Sequence, residues 1–121
     1  MDEVGQRRDR TTAVVTDVPG AVVVTGFGEI DMVTAPELRF RLTDAIGAAA
    51  GRRVVLDLRA VEFLASAGCA IVAEGHTLAS RQGALLHVVV PPEGTVDRVL
   101  TLIGLSRLVR VHPTLDAALE F

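Results

Sequence analysis

The chain has 121 residues, half of them hydrophobic and 22% charged, which excludes a disordered polypeptide and suits one domain with an apolar core. Its net charge is −3 and it shows no basic stripe interleaved with aromatic residues, which argues against a nucleic-acid partner. A single cysteine, no signal-peptide pattern and no apolar run near the ~18 residues of a membrane span predict a cytoplasmic protein without membrane insertion.

The first elements in chain order are a polar tail and a β-hairpin. Residues 1–12 are predicted to be a disordered tail, and residues 13–121 to form the domain. The segments Ala13–Thr16 and Ala21–Phe27 are rich in β-branched residues and flank a Pro-Gly turn, so they are predicted to be paired strands.

The first helix follows, and its start has a recognisable pattern. Thr34 and Glu37 have the spacing of a capping box, in which the Thr34 hydroxyl accepts from the Glu37 amide and the Glu37 carboxylate reaches back. Pro36 suits the first turn, and Gly51 is predicted to end the helix. The apolar face is predicted to consist of Leu38, Leu42, Ala45, Ile46 and Ala49.

The second half of the chain alternates strand and helix patterns. A strand covered on both faces is predicted over Val54–Leu58, then a loop over Arg59–Ala65 and a helix from about Ala67 to Arg81. A strand before Pro91, a helix ending at Gly104, a short strand and a short helix complete the pattern. The order β-β-α-β-α-β-α-β-α predicts an α/β fold, a mixed, largely parallel sheet of four to five strands flanked by four helices.

Catalytic and metal-binding patterns are weak in this sequence. Ser66 lacks the leading glycine of a nucleophile elbow, and the three histidines are spread over separate elements, so no enzyme activity is expected. Cys69 and His76 alone do not make a zinc site, and no phosphate-binding glycine loop is present, so neither a metal nor a cofactor is expected. For Ser66, two interpretations remain open: an N-cap of the second helix, or a phosphorylation site facing the helix dipole.

Several motifs together resemble the STAS domain family, in its anti-sigma factor antagonist type. The sequence GEID at 28–31 followed by TAPEL at 34–38 resembles the signature that opens the first helix of these domains. The strand at 54–58, the VEFL segment at 61–64 and the SAG segment at 66–68 resemble the strand and phosphorylation loop of the family. The resemblance covers about residues 13–121.

The resemblance implies partner switching. Antagonists of this family bind an anti-sigma factor that is also a serine kinase with a GHKL-type ATPase fold, and binding frees a sigma factor. Phosphorylation of one serine ends binding and a phosphatase restores it, and that serine corresponds to Ser66. The implied partner-binding residues are Glu29, Asp31, Thr34, Ala65, Ser66, Ala67, Gly68 and Cys69.

The loop departs from the family pattern at two positions. Ala65 replaces the acidic residue before the serine, and Ala67 replaces the second hydroxyl residue, which makes the patch more apolar and suits constitutive binding. The alternative function is a non-phosphorylated scaffold subunit of a lipid-transport ABC system or a sensory complex. A nucleotide-binding or enzymatic role on the same α/β scaffold is a third hypothesis.

Overall fold

The computed structural model describes residues 11–120, and its elements follow the predicted order. The strands are β1 (Ala13–Val18), β2 (Ala21–Ile30), β3 (Arg53–Leu64), β4 (Leu86–Val89) and β5 (Arg110–His112). The helices are α1 (Ala35–Gly47), α2 (Ser66–Arg81), α3 (Thr95–Leu102) and α4 (Leu115–Glu120), and a single 3-10 turn, Leu105–Arg107, precedes β5. The α/β fold class is therefore confirmed.

The five strands form one mixed sheet in the order β1-β2-β3-β4-β5. β1 runs antiparallel to β2, and the remaining neighbours are parallel. The hairpin between β1 and β2 turns at Gly20, whose φ of +77° is a conformation that glycine adopts without a steric penalty. Because β2, β3 and β4 are parallel, the loops that follow them open at the same edge of the sheet.

The sheet buries a large apolar layer on one face and a small one on the other. Side chains from α1, α2 and α3 pack against the first face, and the predicted stripe of α1 is buried there in full. On the opposite face, Ala118 of α4 packs against Val23, Val55 and Val89. The alternation of Val22 and Val23 between the two layers follows from the two-residue period of a strand.

The predicted loop over Arg59–Ala65 is wrong, because β3 continues through these residues to Leu64. β2 also extends to Ile30, so the added length of β3 finds hydrogen-bonding partners along it. Two register shifts in this pairing, between Thr25 and Phe27 and between Gly28 and Glu29, break the regular alternation of side chains. A sequence without regular alternation resembles a loop, although Val61 and Leu64 are buried.

The predicted tail at residues 1–12 lies outside the described residues except for its last two. Of these, Thr12 is buried, and its backbone N–H and hydroxyl both donate to Glu37 Oε1 at 2.8 Å. Thr12 therefore belongs to the folded domain.

Candidate functional site

The predicted site residues meet where β2 and β3 end side by side. Ile30 pairs with Leu64 in the sheet, and the Ala65 amide donates to the Ile30 carbonyl oxygen at 2.9 Å. The segment 29–34 and the segment 65–69 therefore follow neighbouring parallel strands and form one surface, which we call the candidate surface. It includes every residue that the sequence predicts for partner binding.

The loop at 31–34 is held in one shape by its own hydrogen bonds. Asp31 Oδ1 accepts from the amides of Val33 and Thr34 at 2.9 and 3.0 Å, and the Asp31 amide donates to Thr34 Oγ1 at 2.9 Å. The Thr34 hydroxyl also lies 2.7 Å from the carbonyl oxygen of Glu29, to which it donates. The bond from the Thr34 amide, then the bonds from its hydroxyl and from Val33, lower the pKa of Asp31. Asp31 is therefore ionised and orders the loop.

The predicted capping box at Thr34 and Glu37 is wrong. Thr34 has helical rather than extended backbone angles, with φ −94° and ψ −20°, and its side chain makes no capping bond to the helix. Its hydroxyl instead bonds Glu29 and Asp31, while the Glu37 carboxylate bonds Thr12 at the start of β1. The two residues thus tie α1 to β1 and β2.

The predicted N-cap role of Ser66 is also wrong. The N-cap of α2 is Ala65, whose extended backbone (φ −77°, ψ 178°) suits that position, and Ser66 is the first helical residue. Ser66 is exposed, and its hydroxyl has no hydrogen bond to any of residues 11–120. The hydroxyl therefore lies at the positive end of the α2 dipole and is accessible for modification.

Gly68 lets α2 approach the ends of β2 and β3. A Cβ atom at this position would lie 2.4 Å from Leu64 Cδ1 and 3.1 Å from Ile30 Cγ2, so a side chain does not fit without movement. This close contact fixes the distance between the first turn of α2 and the ends of β2 and β3, and therefore the position of Ser66. The role of Gly68 is therefore positional.

Cys69, the next residue, is half-buried and packs against the main core. Burial raises the pKa of its thiol, so the protonated form is favoured. This environment suits a packing role and disfavours a nucleophile.

Two exposed apolar side chains on this surface were missed in the sequence. Met32 and Val33 are 82% and 86% exposed, although the loop that carries them is well ordered by hydrogen bonds. Beside them, a groove of about 230 Å³ lies between α1 and α2, lined by Met32, Ala35, Pro36, Arg39, Ala67, Ala70 and Ile71. The sequence feature that could have predicted this exposure is the pair of large apolar residues inside an otherwise polar loop. Their exposure favours contact with an apolar partner surface.

Two of the three histidines lie away from the candidate surface. His87 and His112 are buried together on β4 and β5, with His87 Nδ1 3.0 Å from His112 Nε2. His87 pairs with Val55, which lies near the start of β3, so the two histidines are far from the strand ends that carry the candidate surface. Among residues 11–120, no three His, Cys, Asp or Glu side chains are placed to hold a metal ion. Within the same residues, no helix is long and apolar enough to cross a membrane.

Comparison with known proteins supports the resemblance seen in the sequence. Residues 12–118 match the STAS domain family. The chain is 35% identical over 112 residues to the anti-sigma-F factor antagonist RsfB of Mycobacterium tuberculosis, covering 92% of this chain and 88% of that protein. The crystal structure of an anti-sigma factor antagonist from Mycobacterium paratuberculosis is 36% identical, with a TM-score of 0.80 and coverage of 90% and 91%.

A more distant structure shares the fold. The Bacillus cell fate determinant SpoIIAA, in its phosphorylated form, superposes with a TM-score of 0.67 at 19% identity, covering 89% of this chain and 96% of that one. The family match, the similarity to RsfB and the shared architecture agree over almost the whole described region. The chain belongs to the STAS domain family.

Proposed function

We propose that the protein is an anti-sigma factor antagonist, which binds an anti-sigma factor and thereby releases a sigma factor. The observation that carries this proposal is the similarity, at 35% and 36% identity over most of the chain, to two mycobacterial proteins described as such antagonists. Neither is described as a transport subunit, so the scaffold alternative is not favoured. The role is one of binding in the cytoplasm.

The candidate surface has the features of a docking site. Met32 and Val33 provide exposed apolar area on a loop that hydrogen bonds already order, so little conformational entropy is lost when a partner covers them. Glu29 and Asp31 add acidic groups beside that apolar area. The complementary partner surface has an apolar centre and a basic margin. An anti-sigma factor with a GHKL-type kinase fold is the proposed partner.

Ser66 is the proposed switch. Transfer of the γ-phosphoryl group of ATP to Ser66 Oγ, with release of ADP, would place about −1.5 to −2 charges on this surface at neutral pH. The dipole of α2 stabilises that charge in the free protein, whereas burial against a partner penalises it. Hydrolysis by a phosphatase would restore the serine. The alanines at 65 and 67 carry no charge, so without phosphorylation of Ser66 this part of the surface stays uncharged. In that case the protein binds its partner constitutively through the same surface.

The first test is binding to purified anti-sigma factors of the source organism, measured by isothermal titration calorimetry. Asp31→Lys reverses the charge and removes the acceptor that orders the loop, so we expect its affinity to fall by about tenfold or more. Asp44→Lys, the same change at an exposed position of α1 outside the candidate surface, is the matched control and should bind like wild type. Equal binding by both variants would show that the surface is wrongly placed.

The second test is intact-mass analysis of the protein purified from its own cells, with Ser66→Ala as the control. A mass increase of one phosphate that is lost in the control is the result expected of a switch. An unmodified mass under both resting and stressed growth would contradict the switch and leave constitutive antagonism as the function. A phosphate retained in Ser66→Ala would assign the modification to another residue.

A further inference from the structure

The two edges of the sheet differ in how well they are protected. β5 has three residues and is followed by Pro113, and a short strand ending at a proline offers little to pair with. β1 is six residues long, contains no lysine or proline, and pairs with β2 without a bulge. Val14 and Val15 in its centre are 43% and 40% exposed. Apart from Asp17, β1 therefore lacks the features by which proteins usually prevent pairing at an edge strand.

The register shows which backbone groups of β1 face outward. The Phe27 amide donates to the Thr12 carbonyl oxygen at 2.9 Å, while the Thr12 amide donates to Glu37, so Thr12 and Phe27 occupy the position of a hydrogen-bonded pair at the end of the antiparallel ladder, with one of its two bonds made. Such pairs alternate along the strand, and β1 pairs regularly with β2. The N–H and C=O groups of Ala13, Val15 and Asp17 consequently point away from β2. Within residues 11–120, no strand pairs with this side.

We propose that β1 pairs antiparallel with β1 of a second copy of this chain, across a two-fold axis at Val15. In this register Val15 lies opposite Val15 of the second copy, and Ala13 lies opposite Asp17. All three outward-facing residues of each strand then form hydrogen-bonded pairs, and the two sheets become continuous. The β-branched residues that meet across the strands favour this pairing.

The charges of β1 also suit a second copy. Asp17 is the only ionisable side chain in the strand, and Arg52 of the same chain binds it at 2.8 Å. In the proposed register Asp17 faces Ala13 of the second copy, so no like charges oppose each other. The strand is thus complementary to itself.

Sedimentation equilibrium over a range of concentrations tests the proposal with the protein alone. We expect wild type to dimerise, and Val15→Lys and Val15→Glu each to raise the dissociation constant about tenfold, because like charges would lie directly opposite. An equimolar mixture of the two variants should recover the dimer, since lysine then faces glutamate. Val15→Thr, β-branched and uncharged, is the matched control and should dimerise. A monomeric wild type, or variants that dimerise normally, would overturn the proposal.

Amide hydrogen exchange tests the same register without a substitution. Protection of Val15 and Asp17 should rise with protein concentration, whereas Val14 and Thr16, whose amides face β2, should be protected at every concentration. Protection of all four amides that does not change with concentration would overturn the pairing. Both measurements need no anti-sigma factor, so their outcome is separate from that of the proposed function.

Discussion

Two glycines in helices have opposite surroundings, and the difference makes each a test of the packing described above. At Gly68 an added Cβ would lie 2.9 Å or less from two atoms of Leu64, in the contact that holds α2 against the ends of β2 and β3. At Gly47, at the end of α1, nothing lies within 4 Å of the same added atom, and its φ is not positive. Space, and not backbone conformation, separates the two positions.

We therefore expect Gly68→Ala to lower the free energy of unfolding by about 1–3 kcal/mol, the usual cost of overpacking a core contact. Gly47→Ala should raise it by up to about 1 kcal/mol, because alanine has the higher helix propensity. Urea denaturation of both variants measures the two changes. A neutral Gly68→Ala would mean that α2 can shift outward freely, which contradicts a fixed position for Ser66.

Single residues of the site were harder to predict than their neighbourhood. The resemblance to the family implies that Glu29, Asp31, Thr34 and Ser66 share one surface, and the structure places the segments 29–34 and 65–69 side by side. The predicted capping roles of Thr34 and Ser66 are wrong. The partner of Glu37 is Thr12, which is 25 residues away, and a local capping motif carries no information about so distant a partner.

At the scale of elements, β4 and β5 are joined by a pair of buried histidines. Their rings stack with centroids 5.2 Å apart, and the hydrogen bond between them requires one ring nitrogen to accept. Burial, followed by the charges of Arg53, His112 and Arg110, lowers the pKa of His87 to about 4. Burial and the two arginines also lower the pKa of His112. Both imidazoles are therefore neutral in the folded protein at neutral pH.

The pH dependence of stability follows from these shifts. In the unfolded chain a histidine has a pKa of about 6.5, so between pH 6.5 and 4 the unfolded state binds more protons than the folded state. The free energy of unfolding should be steady above about pH 7 and fall as the pH decreases from 6.5 toward 4. His87→Leu should flatten this dependence, and His87→Leu with His112→Leu should flatten it further. An unchanged slope in the double variant would show that other groups control it.

The lengths of elements were predictable only where the side-chain pattern was regular. The nearly continuous apolar run at Val54–Leu58 indicated a strand buried on both faces, and the structure confirms it. The next six residues of β3 belong to the same strand but face an irregular stretch of β2, so their pattern depends on the partner strand. Pairing across a sheet is set by both strands, and one strand alone does not reveal it.

For the whole molecule, the proposed switch requires that charge at Ser66 changes binding without unfolding the domain. Ser66 is exposed at the start of α2, and Ser80 is exposed near the end of the same helix. A negative charge is favourable at the first end and unfavourable at the second, by about 0.3–1 kcal/mol in each case. Arg81, beside Ser80, reduces the second effect.

We expect Ser66→Asp to keep or slightly raise the free energy of unfolding while it weakens binding to the anti-sigma factor about tenfold or more, because the new charge must be desolvated at the interface. Ser80→Asp, the same substitution at the opposite end of α2, should slightly lower stability and leave binding unchanged. Urea denaturation and calorimetric titration of both variants separate the two effects. Loss of binding in proportion to loss of stability would indicate that the domain must loosen to release its partner. Weaker binding together with an unchanged or higher free energy of unfolding in Ser66→Asp would instead show a switch that acts at the surface of an intact fold.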